Sequence, residues 1–190
     1  MALRPTALTR QEELRYARQL SIPGLGVAGQ ALLRSKSALV TRVGGLGGQV
    51  AISLAMGGIG KLVIAHGSSL IEPDLNRQLL FGEEVLGLPR APAAKRRLEQ
   101  LSRFVVVEAL DHEPGEDEAL ALARRVDIVC SCPPGWVERH RLNRACVRAG
   151  TPLIEAGMRG LEGVMTAIRP GQTEFVARWE YIASPPYRGK

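Results

Sequence analysis

Aromatic residues are scarce in this 190-residue chain: phenylalanine, tyrosine and tryptophan together make up 4% of it. Its core must therefore be built from aliphatic side chains and alanine. No apolar run reaches the ~20 residues that cross a bilayer, so the sequence offers no membrane segment. The N-terminal stretch MALRPTALTRQEELRYARQL lacks the apolar centre of a secretory leader. There are three cysteines, Cys130, Cys132 and Cys146. An odd count argues against a disulfide framework, and a reducing, cytoplasmic setting is expected. Internal repeats, low-complexity tracts and linkers are also missing.

What is present fits an ordinary globule, with 45% hydrophobic and 23% charged residues. The length supports one domain with a real core. The net charge is +6, yet the arginines are spread along the chain and mixed with glutamates. The densest cluster, Lys95-Arg96-Arg97, falls on an expected helix and reads as a solvated face, not a nucleic-acid surface.

The order of elements is informative. Thr9-Arg10-Gln11-Glu12 has the form of a capping box opening a first helix, which ends before Ile22-Pro23-Gly24. A second helix is expected around Val27 to Lys36. Strands are expected at 37–43, 61–65, 104–109, 126–132, 152–155 and 164–169, with a last one at 175–182. Helices are expected at 47–56, 89–101, 117–125 and from Pro133-Pro134-Gly135 to Ala149. Strands alternating with helices predict a Rossmann-like, doubly wound, mostly parallel α/β sheet, with residues 1–36 as a helical arm and 37–190 as the core.

In such a fold the first strand-to-helix turn receives phosphates, because helix N-terminal amides converge there and glycines let the ligand approach. In Arg42-Val43-Gly44-Gly45-Leu46-Gly47 the later glycines are in place, but an arginine stands where the turn wants its first one. The second strand should deliver an acid to hold ribose hydroxyls, and His66 stands there instead. NAD is therefore disfavoured, while Ser68, Ser69 and Arg77 leave an NADP-binding oxidoreductase as one alternative. Cys130 and Cys132 read as buried thiols at a strand end.

Several segments lie in order across nearly the whole chain: Arg15-Tyr16-Ala17-Arg18-Gln19, Gly44-Gly45-Leu46-Gly47, Asp74-Leu75-Asn76-Arg77-Gln78, Gly87-Leu88-Pro89-Arg90, Asn143-Arg144-Ala145-Cys146 and Gly160-Leu161-Glu162-Gly163-Val164. Jointly they resemble the ThiF/MoeB/HesA family, relatives of the ubiquitin-activating enzymes. The resemblance implies adenylation of the C-terminal carboxylate of a ubiquitin-like or sulfur-carrier protein by ATP and magnesium. It implies a nucleotide site at Gly44, Gly45, Gly47, His66, Asn76, Arg77, Gln78 and Arg90. Arg18, Arg77 and Arg90 take the catalytic positions, with Arg18 crossing a dimer interface to the partner's ATP. The family's two acids after strand two are His66 and Ser68 here, its phosphate lysine is Arg90, and its magnesium aspartate is Pro134. Zinc-binding members carry two Cys-x-x-Cys pairs and this chain has none, so no zinc is expected. The resemblance also implies that the C-terminal part of the family fold is absent. Proline has no side-chain oxygen for a hard cation, so the ATP and magnesium site reads as weakened, with no metal ligands to name. Two readings follow. In one the chain is a degenerate, non-catalytic partner in a homodimer or heterodimer. In the other it is a working adenylyltransferase using Arg77, Arg90 and Arg42.

Overall fold

Thr9 starts the first helix as its sequence predicts. Its hydroxyl accepts from the Glu12 amide at 3.3 Å, and the Glu12 carboxylate accepts from the Thr9 amide at 2.8 Å. The structure, a computed structural model, describes residues 7–171. The expected single helix is two, α1 (Arg10–Arg15) and α2 (Ala17–Leu20), because the buried Tyr16 leaves the helical conformation between them. Tyr16 packs against Phe104 with ring centroids 6.1 Å apart. A third helix, α3 (Gly26–Arg34), is tied to α1 by the Arg34–Glu12 ion pair at 2.7 Å.

The sheet contains β1 (Ser37–Thr41), β2 (Lys61–Ala65), β3 (Val106–Leu110), β4 (Ile128–Ser131), β5 (Leu153–Arg159) and β6 (Glu162–Ile168). Their order is β3-β2-β1-β4-β5-β6. The first five run parallel, and β6 returns antiparallel to β5, from Leu153 opposite Ile168 to Arg159 opposite Glu162. Alternate residues of each strand serve opposite faces. Val40, Leu62 and Ile64 pack with Ala51 and Ala55 of α4 (Gly45–Gly57) and Ala94 and Leu98 of α5 (Arg90–Leu101). Leu39, Val63 and Leu153 pack on the other face with Leu122 of α6 (Glu116–Ala123) and Leu142 and Ala145 of α7 (Trp136–Ala149). This is the mostly parallel, Rossmann-like α/β architecture, with an aliphatic core.

Boundaries move for local reasons. Helix α4 begins at Gly45 because Gly44 already serves as its N-cap. Strand β3 starts at Val106, since Ser102 to Val105 form a turn. Strands β5 and β6 are longer than expected and join as a hairpin through Gly160, whose φ of 58° suits a glycine. The strand expected at 175–182 lies outside the described residues.

The arm is bound to the core through polar contacts. Buried Gln30 and half-buried Gln19 both donate to the Gly57 carbonyl at the end of α4, at 2.9 and 3.0 Å. The C-terminal ends of β1, β2, β4 and β5 open on one edge of the sheet. The strand order reverses between β1 and β4, which is where parallel sheets form a ligand crevice.

The turn at that crevice has no room to spare. A Cβ on Gly47 would stand 2.5 Å from the Arg42 carbonyl oxygen and 3.2 Å from the Cys132 Cβ. We therefore expect Gly47→Ala to lower stability by about 2 kcal/mol or more, measured by urea unfolding.

Candidate functional site

Arg42 closes β1 in a left-handed conformation, with φ 61°. Its amide donates to the Ala65 carbonyl at 2.7 Å, and its carbonyl accepts from Gly44 at 2.6 Å. The backbone thus keeps a shape suited to glycine while carrying a long side chain. That side chain is held by two carboxylates. Nε donates to Glu138 of α7 at 2.8 Å, and a terminal nitrogen meets Glu113 at 2.5 Å. Glu113 also accepts from the Gly67 amide at 3.1 Å. One arginine therefore clasps the ends of β1 and β2, the segment after β3, and the helix after β4.

A second network begins at Arg90, the first residue of α5. Its guanidinium is buried, donating to the Ser68 hydroxyl at 2.5 Å and to the Asp74 carboxylate. Asp74 also accepts from Gln78 Nε2 at 2.6 Å, from the Ile71 amide at 3.1 Å and from Arg77 at 3.4 Å. Ser68, like Arg42, has a left-handed backbone, with φ 70°. A third pair sits deeper: Arg139 of α7 donates to the buried Glu155 carboxylate of β5 and to the Ala156 carbonyl at 2.8 Å.

These networks border one cavity of about 730 Å³. Of the residues expected at the site, Gly44, Gly45, His66, Arg77, Gln78 and Arg90 line it. Gly47 lies behind the wall, packed on the Arg42 backbone and Cys132. Asn76 is exposed beside it, accepting from Arg77 at 3.2 Å. Arg18 sits exposed on α2, away from the cavity of its own chain. Pro134 forms part of the rim.

His66 is buried, and burial, with Arg90 and Arg42 nearby, pushes its pKa down to about 4. It is a neutral imidazole at pH 7. Cys132 lies at the end of β4, one residue beyond it, and lines the cavity; Cys130 is on the strand and buried. Burial and the neighbouring Cys130 push the Cys132 thiol up to about 12, so it is not a ready nucleophile.

The sequence reading missed the carboxylates. Asp74 figured only as part of a motif, and Glu113, Glu138 and Glu155 did not figure as site residues. The available signal was Arg42 itself, since a charge placed in a tight turn needs a partner. Nothing local points to Glu138, 96 residues away. Counted together, Arg42, Arg77, Arg90 and Arg139 are balanced by Asp74, Glu113, Glu138 and Glu155. Among the described residues no group of three or more His, Cys, Asp or Glu side chains is arranged to hold a metal. Each of these arginines has a carboxylate partner, and Pro134 offers no side-chain oxygen to a hard cation.

The Arg42 clasp has a measurable consequence. Arg42→Gly relieves a left-handed backbone that costs about 1–2 kcal/mol. It also leaves the buried Glu138 and the half-buried Glu113 without their cation, and breaking such pairs costs up to about 3–5 kcal/mol. The expected balance is a net loss of about 1–4 kcal/mol in urea unfolding, so that supplying the missing glycine weakens the fold.

Comparison with known proteins places this geometry. The ThiF family model matches residues 16–187. Protein HesA of Leptolyngbya boryana is 45% identical over 166 residues, covering 87% of this chain and 60% of that protein. The adenylyltransferase and sulfurtransferase MOCS3 of Mus musculus is 41% identical over 160 residues, 84% of this chain and 35% of that protein. Among solved structures, E. coli MccB with MccA-N7isoASN aligns with a TM-score of 0.74 at 25% identity, over 84% of this chain and 48% of that one. E. coli MccB with ATP aligns at 0.73 and 24% identity, over 83% and 49%, a likeness of fold alone. The chain thus spans 60% of the HesA length, and the family match runs through its glycine turn, its crevice and the β5–β6 hairpin. On sequence and architecture together, this chain belongs to the ThiF family.

Proposed function

We propose that this chain is a non-catalytic member of the ThiF family that acts as the dimer partner of an active relative. The observation that carries this reading is the internal neutralisation of the crevice. Arg90 holds Asp74 and Arg42 holds Glu113 and Glu138, so the charges that an adenylyltransferase would turn toward a triphosphate are turned toward the protein. Joining a carboxylate to an α-phosphate brings two anions together and needs uncompensated positive charge. Losing one such element typically costs 10²–10³ in rate, about 3–4 kcal/mol. Here His66 and Pro134 stand where two of the family's carboxylates stand, and Arg42 stands at its first glycine. Such losses do not simply add, but they act on one step.

The partner role rests on the arm. Arg18 is exposed on α2, and Leu14, Ile22 and Val27 of the same helical arm are exposed too. An arginine among exposed apolar side chains suits a surface that another subunit covers. MccB has been solved with MccA, and the MOCS3 name describes adenylyl and sulfur transfer. By that likeness, the activity supported here would be directed at a ubiquitin-like, sulfur-carrier or peptide C-terminus.

The test is pyrophosphate release from ATP and magnesium with a carrier ending in Gly-Gly. The chain alone is expected to stay at background. Added to an active relative, it is expected to raise the rate, and Arg18→Ala is expected to abolish that rise without unfolding the chain. Turnover by the chain alone at a rate comparable to the relative's would sink the proposal.

A further inference from the structure

The chain carries its positive surplus away from the crevice. Residues 7–34 and 95–104 hold eight arginines and lysines against three carboxylates, Glu12, Glu13 and Glu99. The two segments are joined. Arg15, the last residue of α1, donates to the Leu101 carbonyl at the end of α5 at 2.6 Å, and Tyr16 meets the Phe104 ring just beyond. Beside this contact lies a second cavity, of about 530 Å³, with Arg10, Glu12, Arg34, Arg103 and Phe104 in its lining. Arg34 stands just before β1 and Arg103 just before β3. The cavity therefore opens at the N-terminal ends of the parallel strands, the end opposite the crevice.

The one carboxylate in that lining is already spent. Glu12 is 2% exposed, and it accepts from the Thr9 amide at 2.8 Å, the Thr9 hydroxyl at 2.7 Å and Arg34 at 2.7 Å. Arg34 also donates to the Ala7 carbonyl at 3.2 Å. Arg10 and Arg103 meet no carboxylate among the described residues. Arg103 lies over the Phe104 ring, 5.0 Å from its centroid, and this contact holds the guanidinium in place. A guanidinium presents paired N–H donors to a carboxylate, so two of them left over at one concave surface fit a ligand with more than one acid. Phe104 disfavours a nucleic-acid strand: Arg103 and Tyr16 already occupy its ring, which leaves no platform for a base to stack on. The basic surface also continues past the cavity. Arg15 is exposed beside it, and Arg97 is exposed one turn before Leu101 on α5, while Glu99 faces Lys95. An extended acidic chain reaches these further charges, and a small dicarboxylate does not.

We propose that this cavity and the basic surface beside it dock an extended acidic peptide segment of a partner protein, with its carboxylates on Arg10 and Arg103. The site lies at the far end of the sheet from the crevice, so the inference holds whether or not the crevice adenylates.

Fluorescence anisotropy of a fluorescein-labelled hexaglutamate peptide with the 190-residue chain tests it. Binding is expected with a Kd of about 100 μM or tighter at low salt, weakening at least about threefold at high salt, and a hexaglutamine peptide is expected not to bind. The Arg10→Ala, Arg103→Ala double variant changes two exposed side chains and is expected to bind about tenfold more weakly. The Arg124→Ala, Arg148→Ala double variant removes the same charge from exposed positions on the α6–α7 side and is expected to bind as the natural chain does. Circular dichroism checks that both variants are folded. Absence of binding at millimolar chain, equal weakening in both double variants, displacement of the peptide by an equal concentration of glutarate, or tighter binding of hexathymidylate would each overturn the inference.

Discussion

Arg42 and the two carboxylates it holds organise the functional end of this protein. The residue sits where β1 turns into α4, in a backbone conformation that costs an arginine about 1–2 kcal/mol. It persists because the side chain joins four segments that would otherwise meet only through loops. Glu138 comes from α7, and Glu113 from the segment after β3, where it also holds the Gly67 amide. In an ordinary phosphate turn that corner is empty of side chain so that a ligand can enter. Here the protein fills it with its own charges.

The other features of the crevice follow from that exchange. With Glu113 and Glu138 brought to the glycine turn, the surroundings no longer favour a highly charged ligand. Arg90 is turned inward onto Asp74 and Ser68, and Arg139 onto Glu155, so each strong cation has a protein partner. His66 is held neutral by burial first, and then by the nearby charges of Arg90 and Arg42. The sheet and the helices are those of the ThiF family, and the proposed reading is that the electrostatics inside the crevice have been rewritten. A fold can keep its pocket and change the pocket's task, because the core that supports it is built from residues that do not touch the ligand.

Much of the fold was legible because it rests on local patterns. Lys61–Ala65 is a short apolar run between glycine and a polar loop, and the strand occupies those same residues. The Thr9 capping box and the glycine turn carry their geometry in three or four neighbouring residues. The break at Tyr16 was not legible, since it depends on a buried contact with Phe104 far along the chain. The length of the β5–β6 hairpin was hidden because Met158 and Met165 are exposed on strands, blurring the alternation. At the site, Gly44 and His66 could be placed from the logic of a doubly wound sheet, and Arg77 and Arg90 from the family resemblance. Their carboxylate partners could not, because pairing across 96 residues leaves no periodic trace.

On the proposed reading, the acids missing at His66 and Pro134, in a crevice whose cations are already paired, keep magnesium–ATP out. Calorimetric titration of magnesium–ATP into the natural chain and into the His66→Asp, Pro134→Asp double variant tests it most directly. Both new acids would face the arginines of the crevice, so the variant is expected to fold. The account predicts at least about tenfold tighter binding by the double variant, a gain of about 1.4 kcal/mol or more. Binding of magnesium–ATP by the natural chain as tightly as by the variant would contradict it.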